Sequence, residues 1–400
     1  MKIGIIGGGA SGLMAAIAAK NERTDVKVYE REKRVGKKIL ATGNGRCNMT
    51  NMTASPEDYH GSDVSFIGGA MKRFWVDETL DFFTGCGILW KEEQDGKVYP
   101  YSDTASSVLD VLRRRIDRDG IAVECGFDVK SVKKKGERFI IEDYGGRKET
   151  CDRVIIAGGG KASPALGSNG SCYGILRSFG HRITELSPSL VQIKTETDIV
   201  KKLKGIKVNA VLTVGSRKAS GEILFTDYGL SGPPVFFLSA YMDGHKTAEL
   251  DLMPEYEYME IRSMLSDRCA YLCDVPLEDY FTGMLNKRVG QALLKSVGIA
   301  PLSRLSGSLS GTEMKRLAAA IKKWSFKIEG TMSWNNAQVT KGGAVTAQFN
   351  KVTMESKLVK GLYACGEVLD IDGDCGGYNL QWAWSSGYLA GTAAGRERKE

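Results

Sequence analysis
The sequence predicts an α/β fold in which a parallel, helix-covered sheet is interrupted by a long insertion of different character. Three observations carry that prediction: a glycine fingerprint between a strand and a helix at the amino terminus, two strand-to-glycine segments far downstream, and a change of residue pattern between them.

Residues Lys2 to Ile6 form a short apolar run, Gly7-x-Gly9-x-x-Gly12 follows at once, and Leu13 to Lys20 is rich in helix formers. A second run, Val26 to Tyr29, ends on Glu30, 18 residues past Gly12, with Arg31 beside it. A glycine triplet alone is commonly just a tight turn; strand, helix and acid together make the dinucleotide fingerprint of a Rossmann-type domain. Gly7 allows the turn, Gly9 lets the backbone approach a pyrophosphate, and Gly12 lets the helix pack closely on the strand. The amides of Ala10 and Ser11, at the helix start, then face the phosphates. A carboxylate at Glu30 accepts hydrogen bonds from an adenosine ribose diol and repels a 2'-phosphate, so FAD or NAD fits better than NADP.

Downstream of the acid, Gly36-Lys37-Lys38-Ile39-Leu40 and Ala41-Thr42-Gly43-Asn44-Gly45-Arg46-Cys47-Asn48 form a glycine-dense loop too long for a simple strand connection. It reads as a second wrap around the cofactor, with Lys37, Lys38 and Arg46 as donors for phosphate or flavin edges and the backbone from Thr42 to Asn48 close to the ligand. The run Val154-Ile155-Ile156-Ala157-Gly158-Gly159-Gly160 is a crossing beside an adenine dinucleotide; Ser163 stands where a third glycine would be, so no dedicated NAD(P)H domain is evident. Near the carboxyl end, Gly361 to Gly366 runs strand into Glu367, placed near a ribityl chain, and Gly376-Gly377-Tyr378-Asn379-Leu380-Gln381 opens a helix. The free amides and positive end of that helix suit charge on the pyrimidine edge of a reduced flavin, which favours FAD over a nicotinamide. Val129 completes the expected cofactor set. Trp382, Trp384 and Tyr388 read as an ordinary packed helix face.

Composition narrows the remaining classes. The net charge of +7 over 400 residues is mild, and the clusters Lys133-Lys134-Lys135 and Lys201-Lys202 read as solvated faces, so nucleic acid is disfavoured as a partner. Nine cysteines without any Cys-x-x-Cys fit a reducing cytoplasm, and with only His60, His181 and His245 present a metal site is not expected. Gly7, Gly8 and Gly9 interrupt the one stretch resembling a signal peptide, and no apolar run is long enough to span a bilayer.

With these segments aligned, the chain resembles the BaiN-like family of bacterial FAD-dependent oxidoreductases over nearly its full length. The resemblance rests on Gly7 to Leu13, Lys37 to Asn48, Gly160-Lys161-Ala162-Ser163-Pro164, Gly229-Leu230-Ser231-Gly232-Pro233, Gly366-Glu367-Val368-Leu369-Asp370 and Gly376 to Gly387. It implies a three-part architecture: an FAD-binding domain from residues 1–187 and 351–400, an inserted β-barrel from 188–255 and 325–350, and a helical piece at 256–324. The short β-branched runs at Val191 to Val214 and Thr331 to Phe349, and the helical pattern from Tyr256 to Lys323, independently support an insertion.

The family includes bile-acid enone reductases and an aminoacetone oxidase. The resemblance therefore implies a small-molecule substrate and an NAD(P)H-driven reduction of an activated C=C bond, of 3-oxo-enone steroid or bile-acid type. Alternatives are an amine oxidase passing electrons to O2 and, from another class, an RNA-binding flavoprotein. By placement beside glycine-rich segments, Tyr228, Tyr378 and Arg46 are candidate proton donors, although a packed tyrosine is an equally common role. Cys47 reads as a small buried hydrophobe. Many relatives carry histidine where this chain has Asp227, a departure that bears on proton handling.

Overall fold
Runs of β-branched residues without polar alternation suit strands covered on both faces. Accordingly, Ile3, Ile5, Ile6, Val26, Val28, Val154, Ile155 and Ile156 are all buried in a five-stranded parallel sheet. Its order is Leu362–Ala364, Arg153–Ile156, Lys2–Ile6, Asp25–Glu30, Ala122–Cys125. The edge strand Leu362–Ala364 comes from the far end of the sequence, paired in parallel register with Val154 to Ile156. A three-stranded antiparallel sheet, Val129–Lys135, Arg138–Asp143 and Lys148–Cys151, precedes the central crossing.

The computed structural model describes residues 1–242 and 244–396. Two compact units emerge: Met1–Ser189 with Trp334–Glu400, and Leu190–Ser333. The last four residues of the expected 351–400 segment, and residue 243 of the expected barrel stretch, lie outside the described residues.

In the first unit, the helix Ala10–Ala19 lies against the carboxy-terminal helix Tyr378–Gly395. Gly387, Gly391 and Gly395 recur every fourth residue and so share one face. A Cβ at each would stand 2.4, 2.2 and 2.6 Å from the carbonyl oxygens of Ser11, Ala15 and Ala19. The two backbones therefore touch directly, and the small residues on both helices are what permits it. The far end of the long helix is closed by Arg153, whose Nη1 donates to the carbonyls of Ala394 at 2.6 Å and Arg396 at 2.7 Å. A cation there satisfies carbonyls that the helix itself leaves unpaired.

The second unit holds a closed six-stranded barrel in the order Ile193–Thr195, Gly229–Ser231, Arg217–Phe225, Lys207–Val214, Thr247–Asp251, Trp324–Thr331. Phe225, Trp324 and Phe326 cluster with ring centroids 5.0 to 6.1 Å apart. Helices Tyr258–Tyr271, Lys287–Ser296 and Gly311–Lys322 add Leu265, Leu293 and Leu317 to the same apolar core. This unit ends at Ser333, whereas the sequence reading carried the barrel to residue 350. Within 334–350 only Val339–Lys341 forms a strand, and it pairs with Ser187–Ser189 of the first unit. The β-branched character of that stretch therefore serves a two-stranded ribbon rather than a barrel wall.

Among the described residues no helix is long and apolar enough to cross a membrane, and no group of three or more His, Cys, Asp or Glu could hold a metal ion.

Candidate functional site
All but one of the sequence-predicted site residues fall in the first unit. At the fingerprint, Gly7 has φ +105° and a Cβ there would meet the Ala157 carbonyl oxygen at 2.5 Å, while a Cβ on Gly12 would lie 1.9 Å from the Gly7 carbonyl oxygen. Gly9 is different: nothing of the protein stands within 4 Å of where its Cβ would be. That open space, above the first amides of the helix Ala10–Ala19, is where a pyrophosphate fits. Gly12→Ala should therefore distort the turn rather than fill a void, and we expect FAD binding to weaken by at least about tenfold. Titration of the apoprotein with FAD, followed by flavin fluorescence, reads this; unchanged affinity would contradict the packing role of Gly12.

Glu30 is 8% exposed, and its two carboxylate oxygens already accept from the amides of Gly8 at 2.7 Å and Glu32 at 2.8 Å. Burial pushes its carboxyl up from the ordinary range. Each oxygen retains a second lone pair, so the acid braces the loop with acceptor capacity left for a ribose hydroxyl. Beside it, Arg31 pairs through Nη2 with Asp128 at 3.1 Å, while its Nη1 is buried without a partner. An orphaned guanidinium N–H at this place matches an acceptor supplied by a bound nucleotide. Val129, one residue beyond Asp128, is buried at the start of its strand.

The glycine-dense loop is held in left-handed turns at Gly43, Asn44 and Cys47, with φ of 55°, 55° and 61°. Its two lysines diverge. Lys37 turns outward to Glu32 and the Ala165 carbonyl, whereas Lys38 Nζ reaches Glu367 at 2.8 Å. The other oxygen of Glu367 accepts from the Thr340 amide at 2.9 Å, tying both chain ends together. Thr42 closes the loop on the Ile39 carbonyl, and Gly45, like Gly9, has nothing within 4 Å of its Cβ position. Asn48 accepts from the Val98 amide, and a Cβ on Gly377 would lie 3.0 Å from its Oδ1.

Arg46 does not behave as a proton donor. Its guanidinium is engaged by Asp103 at 3.0 Å and Glu93 at 3.1 Å and lies 4.0 Å from the Tyr99 ring centroid. The two carboxylates raise its proton affinity further, so Arg46 anchors the loop instead. Cys47 is fully buried, and burial pushes its thiol to about 12, which keeps it a neutral packed group.

Across the sheet, Ala157, Gly158 and Gly159 follow the crossing strand, and Gly366 opens the return turn by donating its amide to Ser386 Oγ at 2.9 Å. Gly377, at φ +103°, caps the helix that begins with Tyr378, Asn379 and Leu380. The Asn379 side chain clamps Gly373 through both its N–H, at 2.9 Å, and its carbonyl, at 2.6 Å. Tyr378 is half-buried, edge-on to Tyr59 at 6.1 Å, and burial raises its hydroxyl pKa. Tyr228 belongs to the second unit, half-buried in the turn before Gly229–Ser231. Its neighbour Asp227 is ion-paired with Lys204 at 2.6 Å, which holds the Asp227 carboxyl below its usual range.

Sequence reasoning passed over the acids that follow Glu367. Asp370 accepts from Ser62 Oγ at 2.6 Å, and Asp374 pairs with His60 Nε2 at 2.7 Å. Between them Asp372 is 1% exposed with neither carboxylate oxygen partnered, and burial pushes its carboxyl up to about 7. The Tyr173 hydroxyl is likewise buried and unpartnered. The visible signal was the alternation of acid with apolar residue or glycine from Asp370 to Asp374, inside a segment too apolar to be a surface loop.

Residues 1–393 match the family model described as the HI0933-like protein Rossmann domain. The chain is 40% identical, over 98% of both chains, to the 3-dehydro-bile acid delta(4,6)-reductase of Clostridium scindens. It is 30% identical to the ribosomal RNA dihydrouridine synthase of Escherichia coli, covering 96% of this chain and 95% of that one. Among solved structures it resembles the 3-ketosteroid-delta4-(5alpha)-dehydrogenase of Rhodococcus jostii, with a TM-score of 0.50 at 15% identity over 99% of this chain and 96% of the other. That likeness concerns the fold.

Proposed function
From the premise that the chain belongs to the HI0933-like family and is an FAD-dependent oxidoreductase, we propose that it reduces a C=C bond conjugated to a carbonyl. The substrate in this reading is a 3-oxo-enone of steroid or bile-acid type, and NAD(P)H is the transient electron donor. The observation that carries the reading is the 40% identity, across 98% of both chains, to a protein named for reducing such a bond in 3-dehydro bile acids.

Bound FAD supplies hydride acceptance and delivery, so the protein's own task is to hold the cofactor, exclude water and manage protons. The open backbone at Gly9 to Ser11 takes the pyrophosphate, with Glu30 and Arg31 at the adenosine end. Lys38 and Glu367 hold each other beside the ribityl position. The amides of Tyr378, Asn379 and Leu380, unpaired at the first turn of their helix, stabilise negative charge at the pyrimidine edge. Tyr378, on the same unit as these residues, remains the candidate proton donor.

The test is anaerobic mixing of the yellow holoenzyme with NADH or NADPH, then with a Δ4-3-oxo steroid or with air. Bleaching by a nicotinamide followed by recovery with the enone is the expected result. Recovery with air alone, together with bleaching by an aminoacetone-like amine, would replace the reductase with the oxidase alternative.

One second reading has its own observation. The 30% identity to ribosomal RNA dihydrouridine synthase points to a uracil ring in RNA, whose reduced bond is also conjugated to a carbonyl. The chemistry at the flavin would be the same, and salt-dependent RNA retention with uridine-dependent reoxidation would select it.

A further inference from the structure
Four acids, Glu367, Asp370, Asp372 and Asp374, lie within eight residues on the segment that leads into the carboxy-terminal helix. Three are matched: Glu367 by Lys38 and the Thr340 amide, Asp370 by Ser62, and Asp374 by His60. Asp372 alone has both oxygens buried and unpartnered. A buried carboxylate left this way is costly, whereas the protonated acid is far less so.

Its placement ties it to the cofactor end of the molecule. Asp372 forms a two-residue strand with Gly373 that pairs with Tyr59–His60, and Gly373 is gripped at both backbone atoms by Asn379, the second residue of the helix. The groups facing Asp372 electrostatically are His60 on the paired strand, Lys341 on the neighbouring strand Val339–Lys341, and Asp370 and Glu367 on its own segment. His60 and Lys341 favour the ionised form and the two acids oppose it, so burial, the largest influence, decides. On the helix side stands Tyr378, whose Cβ a Cβ on Gly373 would approach to 2.8 Å.

We propose that Asp372 is a positioning residue that takes up a proton when the cofactor is reduced, ionised while the flavin is oxidised and protonated once it is reduced. The proposal rests on the FAD reading of the same site. The balance is simple: two electrons and one proton go to the flavin, the added negative charge raises the proton affinity of the nearby carboxylate, and a second proton moves from solvent to Asp372. The acid thereby offsets charge that the helix amides alone would carry, and holds a proton within the site for the return half of the cycle. Burial of the carboxyl sets the window, which opens above about pH 7.

The test measures the two-electron midpoint potential of the FAD holoenzyme between pH 7 and 9 by dye equilibration, for the wild type, Asp372→Asn and Asp372→Glu. One extra proton per two electrons changes the reduction equilibrium tenfold per pH unit, which is about 30 mV. The wild type is expected to be steeper than Asp372→Asn by that amount, and Asp372→Glu to restore part of the slope. A merely structural role would shift the potential without changing its slope. Equal slopes in wild type and Asp372→Asn overturn the proposal.

Should Asp372→Asn fail to retain flavin, infrared difference spectra of the wild type at pH 8 decide. A carboxylic-acid carbonyl band gained on reduction, and shifted by carbon-13 aspartate, supports the proposal; its absence overturns it. A wild-type protein that binds no FAD would instead remove the cofactor reading itself.

Discussion
Gly391→Val is expected to unfold the flavin domain partially at room temperature and to abolish stable FAD retention. The Cβ alone would stand 2.2 Å from the Ala15 carbonyl oxygen and 2.9 Å from its carbonyl carbon, both backbone atoms that no rotamer change can move. Overpacking of a core by side-chain atoms costs about 1–3 kcal/mol, and two helix backbones forced apart reach or exceed the top of that range. The gain from removing a glycine in a helix interior is only about 0.5 kcal/mol, so sterics win. The functional consequence is built into the topology. The helix Ala10–Ala19 begins at the pyrophosphate loop, and the helix Tyr378–Gly395 begins at the opposite end of the proposed cofactor site. Moving one against the other along Gly387, Gly391 and Gly395 separates the two halves of that site. Urea unfolding and flavin content, with Thr392→Val as the control on the same helix, measure the effect. Wild-type midpoint and flavin content in Gly391→Val would mean the helices do not meet as described.

The second large effect concerns pH. Asp372 has its carboxyl raised to about 7 in the folded protein, first by burial and further by Asp370 and Glu367, against an ordinary value of 3.8. Because the folded value is the higher one, the folded state holds a proton that the unfolded chain has released between those two values. Stability from this group is therefore full below about pH 4 and falls as pH rises to about 7, after which the loss is constant. A shift of about three units corresponds to on the order of 4 kcal/mol. Asp372→Asn removes the titration and adds an offset, from its own buried amide, that does not vary with pH. The stability difference between Asp372→Asn and wild-type apoprotein should thus grow in favour of the variant by about 2–3 kcal/mol from pH 5 to pH 8. Other titrating groups cancel in the comparison. A difference that stays flat across this range would show that Asp372 is not held neutral by burial.

What could be read in advance, and what could not, separates along one line. The fingerprint Gly7-x-Gly9-x-x-Gly12, the acid at Glu30 and the glycine pair before Tyr378 were legible because each is a backbone requirement met within a few residues. The contact of the two helices was written in the four-residue spacing of Gly387, Gly391 and Gly395, but its partner face, Ser11, Ala15 and Ala19, lies more than 370 residues away. Arg46 looked like a free donor because Glu93 and Asp103, which claim it, lie about fifty residues downstream. The stretch Thr331 to Phe349 looked like barrel wall because β-branched residues suit any strand, whichever sheet receives it.

The sequence by itself determined the strand, turn and helix units of the flavin domain, the cofactor class they suit and the existence of an insertion, since these follow from local backbone limits and residue periodicity. The tertiary structure decided which charged groups are matched and which stand alone, and hence where protons reside. Lys37 faces outward while Lys38 meets Glu367, and Asp370 and Asp374 find partners while Asp372 finds none. The physical reason is that ionisation depends on solvent exclusion and on neighbours brought from distant segments, and neither is encoded at the residue itself.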